Sequence, residues 1–143
     1  MRRRIPNCLL AVVCLATLAS RAAASEVCVP SVAIDPSCDA AAGTINAGIA
    51  AAANGDTVIV GAGNYVEFVV INKNVTLRSI SGRAGTTISP PSTPTANLGT
   101  ILVTTGSNEV RIGTTGHGCT INGVDNVSAG VESAAVYFQG AHA

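Results

Sequence analysis

Residues 63–77, GNYVEFVVINKNVTL, place Gly63, Tyr65, Glu67, Val69, Ile71, Lys73, Val75 and Leu77 on one parity. Alternation with period two is the mark of a strand with one buried face. One strand of that length would far exceed the usual ~5–6 residues. The pattern therefore predicts two strands joined at Asn72-Lys73-Asn74 and continuing in phase around a corner. Asn suits such a corner, because its side chain bonds nearby backbone and tolerates left-handed conformations. Val69, Ile71, Val75 and Leu77 are expected to point inward on both sides of it.

Just upstream the period is different. In TINAGIAAAANGD (44–56), Ile45, Ile49 and Ala52 recur at helical spacing. Thr44 is a natural N-cap and Asn54-Gly55 a stop. A short amphipathic helix is predicted, and its apolar stripe must cover something. After Gly55 the chain reads as a succession of short strands: 57–60, 67–71, 75–79, 86–89, 100–104, 109–113, 119–123 and 135–139. Gly, Asn, Pro and Ser fill the gaps. No helix signal separates the strands, and a doubly wound sheet needs crossover helices, so that fold is excluded.

The strands also repeat. Val75 and Val110 are 35 positions apart, Ile88 and Ile121 33, and Ile101 and Val136 35. Three short strands per near-constant repeat predict an all-β, right-handed parallel β-helix. It would be single-stranded, with three strands per coil and a short N-terminal capping α-helix. Strands one repeat apart would stack about 4.8 Å apart. The helix would close the first coil, since an open end exposes backbone edges and apolar core.

The first residues carry a different signal. Arg2, Arg3 and Arg4 precede an apolar run from Cys8 to Ala19, and Ala22 and Ala24 form an A-x-A site. This is the pattern of a cleaved secretory signal, and the apolar run is short for a membrane span. The expected organisation is 1–24 signal peptide, 25–43 N-terminal arm, and 44–143 capping helix plus two to three coils. The last coil begins at 135–139 and is expected to be incomplete at the C-terminus. The product would be secreted, periplasmic or at the cell surface, with no membrane contact after cleavage.

Beyond residue 24 the basic residues are Lys73, Arg78, Arg83 and Arg111. The acidic ones are Glu26, Asp35, Asp39, Asp56, Glu67, Glu109, Asp125 and Glu132, giving a net charge of −4. A nucleic-acid partner needs clustered Lys and Arg and is not expected. Export permits a Cys28–Cys38 disulfide tying the arm, which leaves Cys119 over. Metal binding is not expected, because C-x9-C with one distant Cys and no nearby His is not zinc spacing. No cofactor is expected either.

The stretch TINAGIAAAANGDTVIVGAGNYVEFVVINKNVTLRS resembles the opening of pectin-lyase-like β-helix proteins, including pectinesterases. The matching positions are Gly55, Asp56 and Thr57, then Gly63, Tyr65, Glu67, Val69, Ile71, Lys73, Val75 and Leu77. The resemblance implies the β-helix and its capping helix. It implies no reaction: the Q-D pair, D-F-I-F-G strand and R-P-W turn of pectinesterases are missing, and Gln139 is followed by Gly140. No catalytic residue can be carried over. Glu67 and Lys73 belong to the structural opening.

Other chemistry is sparse. Gly116-His117-Gly118 resembles a polygalacturonase motif without its N-T-D, D-D and R-I-K context, so His117 reads as a solvent-exposed residue in a glycine turn. Glu109, Asp125 and Glu132 are spaced off the repeat and read as surface charges. Asn74 and Asn126 head N-x-S/T sequons, and Asn74 also suits a coil corner. Arg78 and Arg111 fall on equivalent strands one coil apart, nearly in register. They are the candidate carbohydrate-binding pair. The expected function is an exported, non-catalytic β-helix protein or fragment associated with carbohydrate or a surface. The alternative is the N-terminal part of a pectinesterase-like or other polysaccharide-active enzyme whose catalytic coils are missing. Edge-strand self-association through 135–139 is a further expectation.

Overall fold

The computed structural model describes residues 23–91, 99–104, 106, 109–123 and 134–139. The signal-peptide reading (bar Ala23 and Ala24), Asp125, Asn126 and Glu132 lie outside the described residues.

The chain is mostly β. Its strands are β1 (Glu26–Val29), β2 (Ala40–Ala41), β3 (Thr57–Val60), β4 (Gly63–Val66), β5 (Val69–Ile71), β6 (Thr76–Ser79), β7 (Thr86–Ser89), β8 (Gly99–Val103), β9 (Arg111–Ile112), β10 (Thr120–Ile121) and β11 (Ala134–Phe138). Two short helices interrupt them, α1 (Ile45–Ala51) and the single turn α2 (Gly82–Gly85), together with a 3-10 turn at Val32–Ile34. The strands form three parallel sheets with the orders β2-β1-β3-β6-β9, β4-β7-β10 and β5-β8-β11. From β3 onward the chain visits the first, second and third sheets in strict rotation, three times over.

The repeat read from the sequence is the pairing register. Leu77 lies opposite Ile112, Ile88 opposite Ile121, and Ile101 lies between Val69 and Val136. Inward residues from all three sheets join Ile45 and Ile49 of α1 and its C-cap Ala52 in one core. Val58, Val69, Ile71, Leu77, Ile88 and Ile101 are fully buried in it. Packing β-branched side chains on a pleated surface favours these strands, and their burial supplies the main stabilisation.

α1 forms where expected. The Thr44 hydroxyl accepts from the Ala47 N–H as N-cap, and Gly55 turns the chain with φ of 96°. Gly48 faces β1 and β3 so closely that a Cβ there would come within 2.9 Å of the Val29 side chain. The helix lies against β1, β3 and β5 and covers that end of the core.

Two details differ from the sequence reading. The run 63–77 contains three strands, because a further break falls at Glu67-Phe68. Parity survives the break, so periodicity alone did not reveal it. The arm is also less irregular than expected: Glu26–Val29 pairs in parallel with β3 and carries β2 on its other edge. The expected disulfide joins Cys28 to Cys38.

Candidate functional site

The motif residues shared with the resemblance are structural ties. Glu67 sits at the start of α1, where its carboxylate accepts from the N–H groups of Ile45 and Asn46 at 2.9 and 3.1 Å. Lys73 sits at the other end and donates to the carbonyls of Ile49, Ala50 and Ala52 at 3.1, 2.7 and 2.7 Å. An anion at the N-terminus and a cation at the C-terminus both complement the helix dipole. Asp56 is buried and accepts from Ser25 N–H and Ala53 N–H at 2.9 and 2.7 Å. It fastens the start of the arm to the end of the helix. The Tyr65 hydroxyl donates toward the Gly61 carbonyl at 3.2 Å. Burial pushes the Tyr65 phenol pKa up, and the Glu67 charge adds to it.

The first sheet carries the two candidate arginines on its outward face. One cross-strand column runs Glu26–Thr57–Thr76–Arg111, and the next runs Cys28–Ile59–Arg78. Arg111 therefore lies opposite Thr76, two positions from Arg78 along the strand direction. Ile59 is fully buried although its neighbours Val58 and Val60 are the ones that join the core. The disulfide-tied arm lies on this side. From it, Asp35 approaches the Arg78 guanidinium at 3.9 Å, and Glu26 of β1 approaches at 3.4 Å. Glu26 Oε2 is buried and, among the described atoms, unpartnered. The Ser37 hydroxyl and N–H donate to Asp35 at 2.6 and 2.9 Å and hold its carboxyl below the usual range; Arg78 and His117 add smaller effects.

His117 is not solvent-exposed as the glycine turn suggested. It is half-buried, its Nδ1 lies 3.0 Å from the Ser79 carbonyl, and its own carbonyl accepts from Ser79 N–H. The turn packs back onto β6, which the motif's local sequence does not reveal. Cys119 is a free thiol, partly buried, and burial pushes its pKa up.

Arg111 is exposed and lines an open groove of about 410 Å³ with Asn54, Gly55, Asn74, Val75, Thr76 and Glu109. Two of the lining asparagines are linked in series. Asn54 Oδ1 accepts from Asn74 N–H at 2.9 Å, and Asn74 Oδ1 accepts from Glu109 N–H at 3.2 Å. Each Asn at a corner thus ties its layer to the next. Asn74 was readable as a corner residue; Asn54 was read only as a helix stop. The structure keeps the two arginines on one face but in different settings. Arg78 is engaged by carboxylates under the arm, and Arg111 stands at the groove.

Among the described residues there is no cluster of three His, Cys, Asp or Glu side chains arranged to hold a metal. No described helix is long and apolar enough to cross a membrane. No family model, curated protein or solved structure matches the chain.

Proposed function

We propose that this chain is an exported right-handed parallel β-helix of the pectin-lyase-like kind that binds polysaccharide without acting on it. The rotation of the chain through three parallel sheets supports the β-helix. The right hand follows from the strong preference of parallel crossover connections for that sense. The observation that carries the ligand reading is the Asn54–Asn74–Glu109–Arg111 groove. It is open and lined by amide, hydroxyl and charged groups suited to sugar hydroxyls. Arg111 adds a planar donor that matches a uronate carboxylate. Among the described residues Glu109 is the one carboxylate lining it, whereas glycoside hydrolysis by the common routes uses two.

The test is affinity electrophoresis of the purified chain through gels containing polygalacturonate, methylated pectin or neutral glucan. It is paired with assays for released methanol, reducing ends and unsaturated ends. Retardation by polygalacturonate without product supports the proposal. Product formation would replace it with the second reading, part of a polysaccharide-active enzyme. Among the described residues β9, β10 and β11 each end their sheet, an arrangement compatible with that reading.

A further inference from the structure

Two outward residues of the first sheet are buried without joining the core. Cys28 and Ile59 stand side by side in the column that leads to Arg78. Both are fully buried, yet neither belongs to the core cluster. They are covered from outside, where the chain leaves β1 at Pro30 and returns through Cys38. Ile34 of this loop lies so close over Gly61 that a Cβ there would come within 3.3 Å of its side chain. Asp35 reaches the Arg78 guanidinium at 3.9 Å. Otherwise the loop is bonded to itself. Among the described residues, every hydrogen bond made by 30–37 ends within 31–38: Ala33 and Ile34 donate to Ser31, and Ser37 and Cys38 donate to Asp35. A segment with so few bonds to the body opens at low free energy. Its covalent tie is the Cys28–Cys38 disulfide at its base.

We propose that residues 30–37 form a lid over a second carboxylate subsite centred on Arg78, and that the Cys28–Cys38 disulfide is its latch. The inference rests on the polysaccharide reading of the Arg111 groove and states how that site is extended. Arg78 and Arg111 share the outward face of the sheet. Arg111 lies opposite Thr76 on the adjacent strand, two positions from Arg78, which sets the two backbones about 8 Å apart. A polyuronate carries one carboxylate per sugar, so one chain can reach both arginines. In the closed state Asp35 holds the place of such a carboxylate. Both carboxylate contacts to Arg78, from Glu26 and Asp35, fall on one nitrogen, Nη2. A guanidinium has five N–H donors, so lifting Asp35 leaves donors for a bidentate contact beside Glu26. Opening also removes one negative charge from the path of an anionic ligand. Release of the latch is a thiol–disulfide exchange with a dithiol reductant. The first thiolate attacks Cys38 Sγ, because Cys38 is half-buried and Cys28 fully buried. Cys28 leaves as a thiolate, and the second thiol of the reductant then displaces Cys38 from the mixed disulfide. The protein disulfide gains two electrons and two protons, and the dithiol is oxidised to its own disulfide.

The test is isothermal titration calorimetry of the chain with trigalacturonate, before and after reduction by dithiothreitol. It is paired with mapping of arginine reactivity by phenylglyoxal and mass spectrometry, which needs no ligand. Arg78 should react slowly in the oxidised protein and quickly in the reduced one, with Arg111 reactive in both. Reduction should lower the Kd about tenfold, as one added charge-assisted contact would. In Arg78→Gln, reduction should bring no gain. Asp35→Asn removes the competing carboxylate with the disulfide intact and should bring part of the gain, so the subsite is tested even where thermal melts show the reduced chain to have lost its fold. Reduced, folded protein in which Arg78 stays as protected as before would overturn the lid. An Arg78 that is uncovered with the Kd unchanged, or an Asp35→Asn chain that binds no tighter than wild type, would overturn the subsite and leave the groove reading standing. No binding in any form would overturn the groove reading and this extension with it.

Discussion

Glu67 and Lys73, six residues apart in sequence, grip opposite ends of the same helix. Glu67 takes the N–H groups of Ile45 and Asn46, and Lys73 fills the carbonyls of Ile49, Ala50 and Ala52. Between them, Val69 and Ile71 pass under α1 as the edge strand of the third sheet. The spacing of the two charges is thus a measure of the helix they hold, and this ties the cap to the first layer.

Loss of either charge should loosen the cap. Glu67→Gln and Lys73→Met remove charge-assisted hydrogen bonds, each of which contributes about 1.5–3 kcal/mol. Each variant is expected to lose about 2 kcal/mol in urea unfolding. Amide exchange should accelerate in Ile45–Ala51 first, with β7 and β8 little changed. Equal acceleration throughout the chain would show that the clamp is not local.

Asp56 should be less tolerant still. It is buried and its two oxygens serve Ser25 and Ala53. Asp56→Ala leaves those two donors without this acceptor, at about 1–3 kcal/mol each for any that stay buried. Chemical denaturation of Asp56→Ala beside Asp56→Asn reads the effect, and the amide should recover only part of the loss.

The Cys28–Cys38 bridge closes a loop of sequence separation 10. Loop-closure entropy predicts that Cys28→Ser/Cys38→Ser costs about 2–3 kcal/mol. The arm should then release Ile59 and Arg78 to solvent before the core unfolds. Limited proteolysis cutting first within 30–37 under reducing conditions would show this; an unchanged cleavage pattern would contradict it.

Acid stability should have an Asp35 component. Its folded pKa lies below the unfolded value, chiefly through Ser37. The stabilisation is present above the unfolded carboxylate pKa. It is lost as pH falls through the folded value, because the unfolded chain binds the proton more readily. Ser37→Ala should move the Asp35 titration back toward the ordinary range, as followed by carboxyl carbon NMR, and shrink this part of the acid limb.

The sequence disclosed what has a period. The offsets between Leu77 and Ile112, and between Ile88 and Ile121, are visible because inward positions demand apolar residues at every layer. α1 was visible through its cap and stripe. The break at Glu67-Phe68 was hidden because inward–outward alternation continues across it. β1 was hidden because Val27, Cys28 and Val29 make a very short apolar run, followed at once by Pro30. The setting of Arg78 was illegible for another reason. Its partners Glu26 and Asp35 arrive from the arm, far away in sequence, and no local pattern announces them. The groove was half legible, since Arg111 and Asn74 were singled out separately but only the corner geometry brings them together.

The most direct test of the central claim is a nitrogen-15 NMR titration of the purified chain with short galacturonate oligomers. The account predicts shifts concentrated at Asn54, Gly55, Asn74, Thr76, Glu109 and Arg111, abolished by Arg111→Ala with the fold intact. Shifts centred elsewhere, or none at saturating oligomer in folded protein, would contradict the assignment of this groove as a polysaccharide site.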